Sequence, residues 1–337
     1  MTRLAVAFLS FWGVLVALNA QDQTVRVWKR SDLYIRDPFI LADRSTETYY
    51  LYSSSYDFKG MPDRRMGVVV YKSKDLNQWL GPYPVFQTGA PFWADTSHGV
   101  WAPEVHFYKG RYYLFATFTN PGLSLSPMAE NRNTEAIVKR GTCILVASQP
   151  EGPFTPLASE SQTPPEWMAL DGTLFVERGK PKMVFCHEWI QTRNGTVEVV
   201  NLSKDLAKPI GKPKTLFKAT DAPWVRSLNL HQGGFVTDGC WLYRTKSGIL
   251  LMLWSSFGPT GYVTAIAISE SGRLSGPWKH LPQLIYEDNG GHPMLFKTFD
   301  GKLAMAIHQP NAGPIRARLF EMADTGEGLV VIKEIPF

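Results

Sequence analysis

The sequence predicts an all-β fold, organised as a five-bladed β-propeller. Short strand-like runs recur throughout the 337 residues, whereas helical periodicity is scarce. A turn-rich opening followed by a strand hairpin recurs five times, at a spacing of roughly 50 to 70 residues with about four strands per unit. Three units share a Gly-Pro-aromatic corner, at Gly81-Pro82-Tyr83, Gly152-Pro153-Phe154 and Gly276-Pro277-Trp278. Such a repeat is typical of a propeller. A β-sandwich explains less, because its units would have no reason to share an opening motif.

The five predicted blades follow one another along the chain. Their strand patterns begin at Tyr34, Trp101, Leu170, Phe235 and Gly290. An additional strand at residues 24–28 is predicted to close the ring by joining the last blade. Longer insertions at residues 86–100, 120–139 and 158–166 contain Pro and Ser, and they are predicted to form rim loops over a binding face.

The third blade opens with a predicted β-hairpin that brings two carboxylates together. Residues 174–176 are a short apolar run, residues 177–181 form a polar turn marked by Gly and Pro, and residues 182–186 return as a strand. A hairpin places the residues before its first strand beside those after its second. Asp171 and Glu188 are therefore predicted at the same end of one sheet, with His187 nearby. This combination favours carbohydrate chemistry over packing.

The first twenty residues are predicted to be a secretory signal peptide, and residues 21–337 a single propeller domain. Arg3 precedes an apolar run, and the small residue Ala20 marks its end. This run of about 15 residues is shorter than a membrane-spanning helix requires. No later stretch is long and apolar enough to span a bilayer. The protein is therefore predicted to be exported, either to the periplasm or outside the cell.

The net charge bears on possible partners, and the cysteine spacing bears on whether disulfides form. The formal net charge is +5, and the basic residues are scattered among acidic ones without a Lys/Arg block. Such a diffuse charge does not point to nucleic acid as a partner. Cys143, Cys186 and Cys240 lack CxxC spacing, and each lies in an apolar run. Buried free thiols are the prediction, although a disulfide between two of them stays open for an exported protein.

Each predicted blade carries a polar residue at its opening. These residues are Asp37, Glu104, Asp171, Asp238 and His292. Because the first strand of every propeller blade lines the central axis, the five side chains are predicted to converge at one end of an axial funnel. Converging carboxylates suit glycosidic bond cleavage, in which one group protonates the leaving oxygen and another activates water. Singly, the Asp residues are also explained as turn formers and Glu104 and Glu188 as ion-pair partners.

The chain resembles glycoside hydrolase family 43 over essentially all of its mature length. The resemblance is carried by RDPFI around Asp37, WAPEV around Glu104 and LDGTLF around Asp171. It implies a five-bladed propeller that hydrolyses its substrate with inversion in a single displacement. It also implies that Asp37 is the general base and that Asp171 orients the acid and modulates its pKa.

The general acid departs from the pattern of this family. The family places a Glu-Gly-Pro motif at the opening of the fourth blade, where this chain has Asp238-Gly239-Cys240. Asp is one methylene shorter than Glu, so Asp238 would reach less far into the funnel. Glu188 could supply the acid from the neighbouring blade and is the favoured candidate. Asp238 is then the alternative acid or a substrate ligand.

The resemblance also suggests a set of substrate-binding residues. These are Trp93, Trp101, Glu104, Trp167, Trp189, His292 and Arg316, the four Trp residues offering faces on which sugar rings stack. No cofactor is expected to be required. A structural Ca²⁺ in the axis beside His292 rests on the resemblance alone, because the sequence has no Asp-rich calcium loop.

These patterns favour an exo-acting inverting hydrolase that removes terminal α-L-arabinofuranose from the side chains of plant polysaccharides. β-Xylosidase and galactofuranosidase are the alternatives within the family. A non-catalytic glycan-binding propeller is the alternative of another class. It would keep the aromatic residues but would not need Asp37.

Overall fold

The structure is a computed structural model, which describes residues 25–55, 65–89, 91–128, 136–228 and 233–337. The predicted signal peptide lies outside the described residues. The described strands form five antiparallel sheets, which confirms the five-bladed propeller. None of the described helices has the length and apolar character needed to cross a membrane.

Each sheet is one blade, and its strands follow the chain from the propeller axis outwards, except that β1 adds to the outer edge of blade 1. Blade 1 contains β1 (Arg26–Lys29), β2 (Phe39–Asp43), β3 (Thr48–Ser54), β4 (Gly67–Ser73) and β5 (Gln78–Gln87). Blade 2 contains β6 (Trp101–Tyr108), β7 (Arg111–Ser124), β8 (Val138–Ala147) and β9 (Thr155–Pro156). Blade 3 contains β10 (Ala169–Glu177), β11 (Lys180–His187), β12 (Thr196–Leu202) and β13 (Pro209–Lys218).

The last two blades follow the same plan. Blade 4 contains β14 (Asp238–Arg244), β15 (Leu250–Gly258), β16 (Gly261–Ser269) and β17 (Trp278–Tyr286). Blade 5 contains β18 (Gly291–Lys297), β19 (Leu303–Gln309), β20 (Arg316–Asp324) and β21 (Leu329–Ile335). The described helices are α1 (Trp189–Thr192) and two short 3-10 turns at Arg30–Asp32 and Ala219–Asp221.

The apolar core lies between neighbouring blades. Phe115 of blade 2 and Phe185 of blade 3 are fully buried in one such cluster. Leu253 of blade 4 and Met305 of blade 5 share another. Each of these side chains contributes roughly 1.5–3 kcal/mol on burial. The blades therefore hold one another in place, and the openings of their first strands keep a fixed arrangement around the axis.

The predicted hairpin of blade 3 is confirmed. β10 and β11 pair antiparallel up to Glu177 and Lys180, which leaves a two-residue turn at Arg178-Gly179. Both turn residues have positive φ, at 51° and 74°, as tight hairpin turns require. The cysteines are buried and free, as predicted; the sulfurs of Cys186 and Cys240 are 3.9 Å apart.

The prediction of ring closure by an N-terminal strand is wrong. β1 pairs with β5, the outer strand of blade 1, and not with the last blade. The physical reason lies in Arg30, which directly follows β1 and is buried in the seam between blades 5 and 1. Its guanidinium donates to the carbonyl of Leu76 at 2.9 Å and to those of Ile335 and Pro336 at 2.7 Å. These side-chain bonds, together with a main-chain hydrogen bond from Ile35 to the carbonyl of Ile315 at 3.4 Å, close this seam.

Candidate active site

Each first strand bends where it meets the axis, at a residue with positive φ. These residues are Asp37 (49°), Ala102 (42°), Asp171 (56°), Gly239 (51°) and His292 (57°). The pairing register shifts beside this residue in blades 2 to 5. Asp and His tolerate this left-handed conformation better than most residues, and Gly adopts it freely. Asp37, Asp171 and His292 hold equivalent positions, as predicted. Glu104 lies two residues after the equivalent position of blade 2, and Asp238 one residue before that of blade 4.

An axial cavity of about 550 Å³ opens above these bends. It brings together all four predicted catalytic residues: Asp37, Asp171, Glu188 and Asp238. Trp101 and Trp189 also line it, which places two of the four predicted Trp residues at the site. The volume falls within the roughly 300–1,000 Å³ typical of small-molecule sites.

Two histidines of blade 5 hold Asp37. His308 Nδ1 lies 3.0 Å from Asp37 Oδ1, and His292 Nδ1 lies 3.2 Å from the same oxygen. Arg36 Nε is 3.8 Å away. Burial opposes ionisation of Asp37, but His292, a hydrogen bond from His308 and the charge of Arg36 outweigh it and lower the pKa of Asp37. Asp37 is therefore a carboxylate at neutral pH, the form in which a general base acts.

Asp171 has the opposite electrostatic environment. It is buried beneath the cavity, and its Oδ2 accepts a hydrogen bond from the amide of Gly239 at 3.2 Å. Burial, followed by the negative charge of Asp238, raises the pKa of Asp171 well above its usual value. The close packing depends on Gly239, because a Cβ there would lie 2.7 Å from His292 Cα. Two neighbouring carboxyls thus have pKa values shifted in opposite directions.

Asp238 belongs to the same cluster. The hydroxyl of Tyr262 donates to Asp238 Oδ2 at 2.5 Å, and Asp238 Oδ1 lies 3.8 Å from His292 Nδ1. Asp37 and Asp238 therefore share His292 as a neighbour. Because Asp37 Oδ1 and Asp238 Oδ1 both lie near His292 Nδ1, the distance between these two oxygens cannot exceed the sum of their distances to it. The two distances limit this separation to at most 7.0 Å, and that limit lies within the roughly 6.5–9.5 Å that inverting glycosidases leave between base and acid, so the spacing alone does not exclude Asp238 as the acid.

Glu188 reaches the cavity from a different direction. It follows β11 and caps α1, and its carboxylate pairs with the guanidinium of Arg140. Arg140 also donates from Nε to Thr119 Oγ1 at 3.0 Å, and its guanidinium lies 4.2 Å from the centre of the Trp101 ring. Blades 2 and 3 together thus fix Glu188 beside an aromatic wall of the cavity.

Asp171, Asp238 and His292 could hold a cation. Each offers one ligand atom, and these atoms lie within 4.8 Å of one another. His292 Nδ1 is buried and makes no hydrogen bond among the described residues, although it lies 3.2 Å from Asp37 Oδ1; only its unprotonated form would serve as a ligand. Two carboxylates and one imidazole fit a divalent ion that completes its coordination with water.

Four predicted binding residues lie away from this cavity. Glu104 is buried, with its Oε2 2.9 Å from His106 Nε2, and Trp167 stacks on His187 at 4.2 Å. Trp93 packs against Phe92 and lies beneath the ammonium of Lys139. Arg316 Nε donates to the carbonyl of Ser31 at 2.6 Å in the seam between blades 5 and 1. Their described contacts are with the protein itself.

Three residues at the site were missed by the sequence reasoning. Arg140 pairs with Glu188, Tyr262 binds Asp238, and His308 contacts Asp37. His308 had a weak signal, because it directly follows the apolar run from Leu303 to Ile307 at the end of a predicted strand. Arg140 and Tyr262 gave no signal, since their roles depend on contacts between strands.

The fold and the site together define a class. A five-bladed propeller whose axial cavity gathers ionised and neutral carboxyl groups is a glycosidase of the propeller type. The profile of glycosyl hydrolases family 43 matches residues 32–324, and the chain belongs to this family.

Known proteins of this type are similar to the chain over most of its length. The crystal structure of an endo-arabinase from Bacteroides thetaiotaomicron VPI-5482 superimposes with a TM-score of 0.76 at 40% identity, covering 88% of this chain and 96% of that one. An extracellular endo-α-(1→5)-L-arabinanase from Bacillus subtilis is 23% identical over 58% of this chain and 55% of its own length. An extracellular exo-α-(1→5)-L-arabinofuranosidase from Cellvibrio japonicus is 25% identical over 52% of this chain and 45% of its own length. The chain thus spans about half the length of the curated relatives it matches.

Proposed function

We propose that this protein is an exported, inverting α-L-arabinofuranosidase that removes terminal arabinofuranose from plant polysaccharide side chains. The observation that carries the proposal is the set of four carboxyl groups lining one axial cavity. Arabinose specificity is supported by the similarity to the endo-arabinase, arabinanase and arabinofuranosidase described above. Export is supported by the predicted signal peptide and by the extracellular relatives.

Asp37 acts as the general base. It is ionised, and its side chain is 13% exposed at the cavity wall, so a water molecule can reach it. Asp37 removes a proton from this water as the oxygen attacks the anomeric carbon. The nucleophile is then water itself, so the configuration inverts.

Glu188 acts as the general acid. Its longer side chain approaches from blade 3, whereas Asp238 is held close to Asp37 through their shared neighbour His292. In the structure the carboxylate of Glu188 forms an ion pair with Arg140. The proposal therefore requires substrate binding to separate Glu188 from Arg140, so that Glu188 takes up the proton that it gives to the leaving oxygen.

Asp171 contributes a neutral carboxyl group beneath the reacting bond. Its raised pKa keeps it protonated, and it limits the negative charge at the floor of the cavity. If a divalent cation were held by Asp171, Asp238 and His292, Asp171 would be ionised and the cation would supply positive charge at the same place. Asp238 is the second candidate for the acid, because Asp171 interacts with it directly.

Exo action is supported by the size of the cavity, which at about 550 Å³ is that of a small-molecule site and not of an open cleft. Endo action on a linear arabinan is the second candidate, and it is favoured by the similarity to the endo-arabinase. The two modes differ in their first products, because exo action releases arabinose from the start and endo action releases oligosaccharides.

The test is a time course on linear arabinan together with a screen of 4-nitrophenyl glycosides. We expect arabinose as the first product, and cleavage of the α-L-arabinofuranoside but not the β-D-xyloside or the β-D-galactofuranoside. Oligosaccharides without early arabinose would replace exo action by endo action. Asp37→Ala is expected to lose at least about 100-fold in activity, with partial recovery in azide, since a small anion needs no base. Full activity of Asp37→Ala would refute the mechanism.

A further inference from the structure

We propose that the seam between the last and first blades positions the general base, with His308 as the residue that holds Asp37. This inference rests on the proposed role of Asp37. His308 lies in β19 of blade 5 and Asp37 opens blade 1, so two residues 271 positions apart meet only because the ring closes. No shared strand joins these blades in the described part of the chain. Across the seam, a main-chain hydrogen bond from Ile35 to the carbonyl of Ile315 at 3.4 Å and the side-chain contacts of His308 together position the base.

A continuous chain of contacts fixes the tautomer of His308. Arg36 donates from Nη2 to Asn311 Oδ1 at 3.0 Å, and His308 Nε2 lies 3.2 Å from the same oxygen. Because Asn311 Oδ1 can only accept, His308 must carry a hydrogen on Nε2. Nδ1 is left facing Asp37. It accepts the main-chain N–H of Asp37 at 3.3 Å when neutral, and it can donate to Oδ1 at 3.0 Å when protonated.

The orientation of the His308 ring is also fixed. His308 is fully buried, and its ring stacks on Tyr262 with centroids 5.4 Å apart and planes 12° apart. Tyr262 is held in turn by its hydrogen bond to Asp238. A backbone in the left-handed region is strained for Asp, so the φ of 49° at Asp37 persists only where surrounding contacts impose it. His308 supplies such a contact to both the main chain and the side chain of Asp37.

This arrangement makes His308 a positioning residue for the reaction. A general base acts only within hydrogen-bond reach of the proton that it removes. A misplacement of about 1 Å can cost about 100-fold in rate. The loss falls on kcat, because the contacts of His308 are with the base and its neighbours within the protein.

The same seam offers a matched control. Arg44 of blade 1 donates to the carbonyl of Thr298 at 3.0 Å and to that of Phe299 at 3.3 Å, both in blade 5. It therefore closes the seam without lining the axial cavity. Removing Arg44 weakens the junction of blades 5 and 1 and leaves the contact between His308 and Asp37 in place.

The experiment compares His308→Leu, His308→Asn and Arg44→Ala on the aryl glycoside that the wild-type protein hydrolyses best, with a thermal melt of each variant. We expect His308→Leu to lose about 100-fold in kcat with KM changed by less than about threefold. His308→Asn keeps an amide that can face Asp37, and it should recover at least about tenfold of that loss. Arg44→Ala should melt at a lower temperature than the wild type but keep kcat within about twofold.

Two results would overturn the inference. The first is a kcat of His308→Leu within about twofold of the wild type. The second is an Arg44→Ala variant that has the same melting temperature as His308→Leu and loses as much activity. If His308→Leu does not fold, Asn311→Ala removes the partner of Nε2 and should lower kcat about tenfold; unchanged kcat would count against the inference. Asp37→Asn separates the two proposals. If it is active, the proposed base is wrong; if it is inactive while His308→Leu is active, only the role of His308 fails.

Discussion

Replacing Glu188 and Asp238 by their amides identifies the acid. Glu188→Gln removes the proton that the leaving oxygen receives, and general acid catalysis contributes about 10²–10⁴-fold. Hydrolysis of an arabino-oligosaccharide should therefore fall by at least about 100-fold. A 2,4-dinitrophenyl glycoside has a leaving group that departs without protonation, so its hydrolysis should fall by less than about tenfold. Asp238→Asn should affect both substrates by a similar factor.

The structure also sets the stability cost of this substitution. Gln keeps an oxygen that accepts from Arg140, so Glu188→Gln exchanges a charge-assisted hydrogen bond for a neutral one. The difference is about 1 kcal/mol, which corresponds to a fall of about 2–4 °C in melting temperature. Arg140 keeps its bond to Thr119 and its contact with Trp101. The variant should therefore be folded at the temperature of the assay.

The assay measures kcat/KM on both substrates for the wild type and the two variants, with melting temperatures recorded in parallel. The ratio of the two kcat/KM values is the informative quantity, since it cancels losses due to partial unfolding. An unchanged ratio in Glu188→Gln would refute the assignment of Glu188. A raised ratio of aryl glycoside to oligosaccharide in Asp238→Asn would transfer the role to Asp238.

Three further predictions follow from buried groups. Because the pKa of Asp171 is raised on folding, its stability contribution is present below the unfolded pKa and is lost as pH rises through the folded pKa. Asp171→Asn should therefore abolish activity. It should also raise the melting temperature by about 2 °C at pH 7.5 and by less at pH 5, measured in parallel melts. An equal rise in melting temperature at both pH values would contradict this prediction. Arg30→Ala leaves three carbonyls in the seam without their donor and should lower the free energy of unfolding in urea by about 3 kcal/mol. Lys180→Ala, at the exposed start of β11, should lower it by less than about 0.5 kcal/mol. After treatment with a chelator, calcium added at 100 times the dissociation constant of the site should raise the free energy of unfolding of the wild type by about 2.7 kcal/mol, and that of Asp238→Asn by much less. If calcium does not stabilise the wild type, this cation site is excluded.

The sequence determined the architecture because the signals for a propeller are local. Strand alternation, turn residues and a repeating opening motif act within one blade, and five copies imply the ring. The same repeat placed Asp37, Asp171 and His292 at the axis before any contact was known. Hairpin geometry likewise brought Glu188 to the mouth of blade 3, since the turn at Arg178-Gly179 fixes which residues meet.

The tertiary structure decided what these residues contact. Arg140 belongs to blade 2 and Glu188 to blade 3, and His308 meets Asp37 across the seam; no local pattern encodes such pairs. The same limit explains the misassigned strand β1, because its pairing depends on the seam that Arg30 fills. It also explains why Trp93 and Arg316, plausible sugar ligands by type, lie outside the lining of the axial cavity. A side chain's partner depends on how whole blades pack, and this packing is settled only when the five units close into one ring.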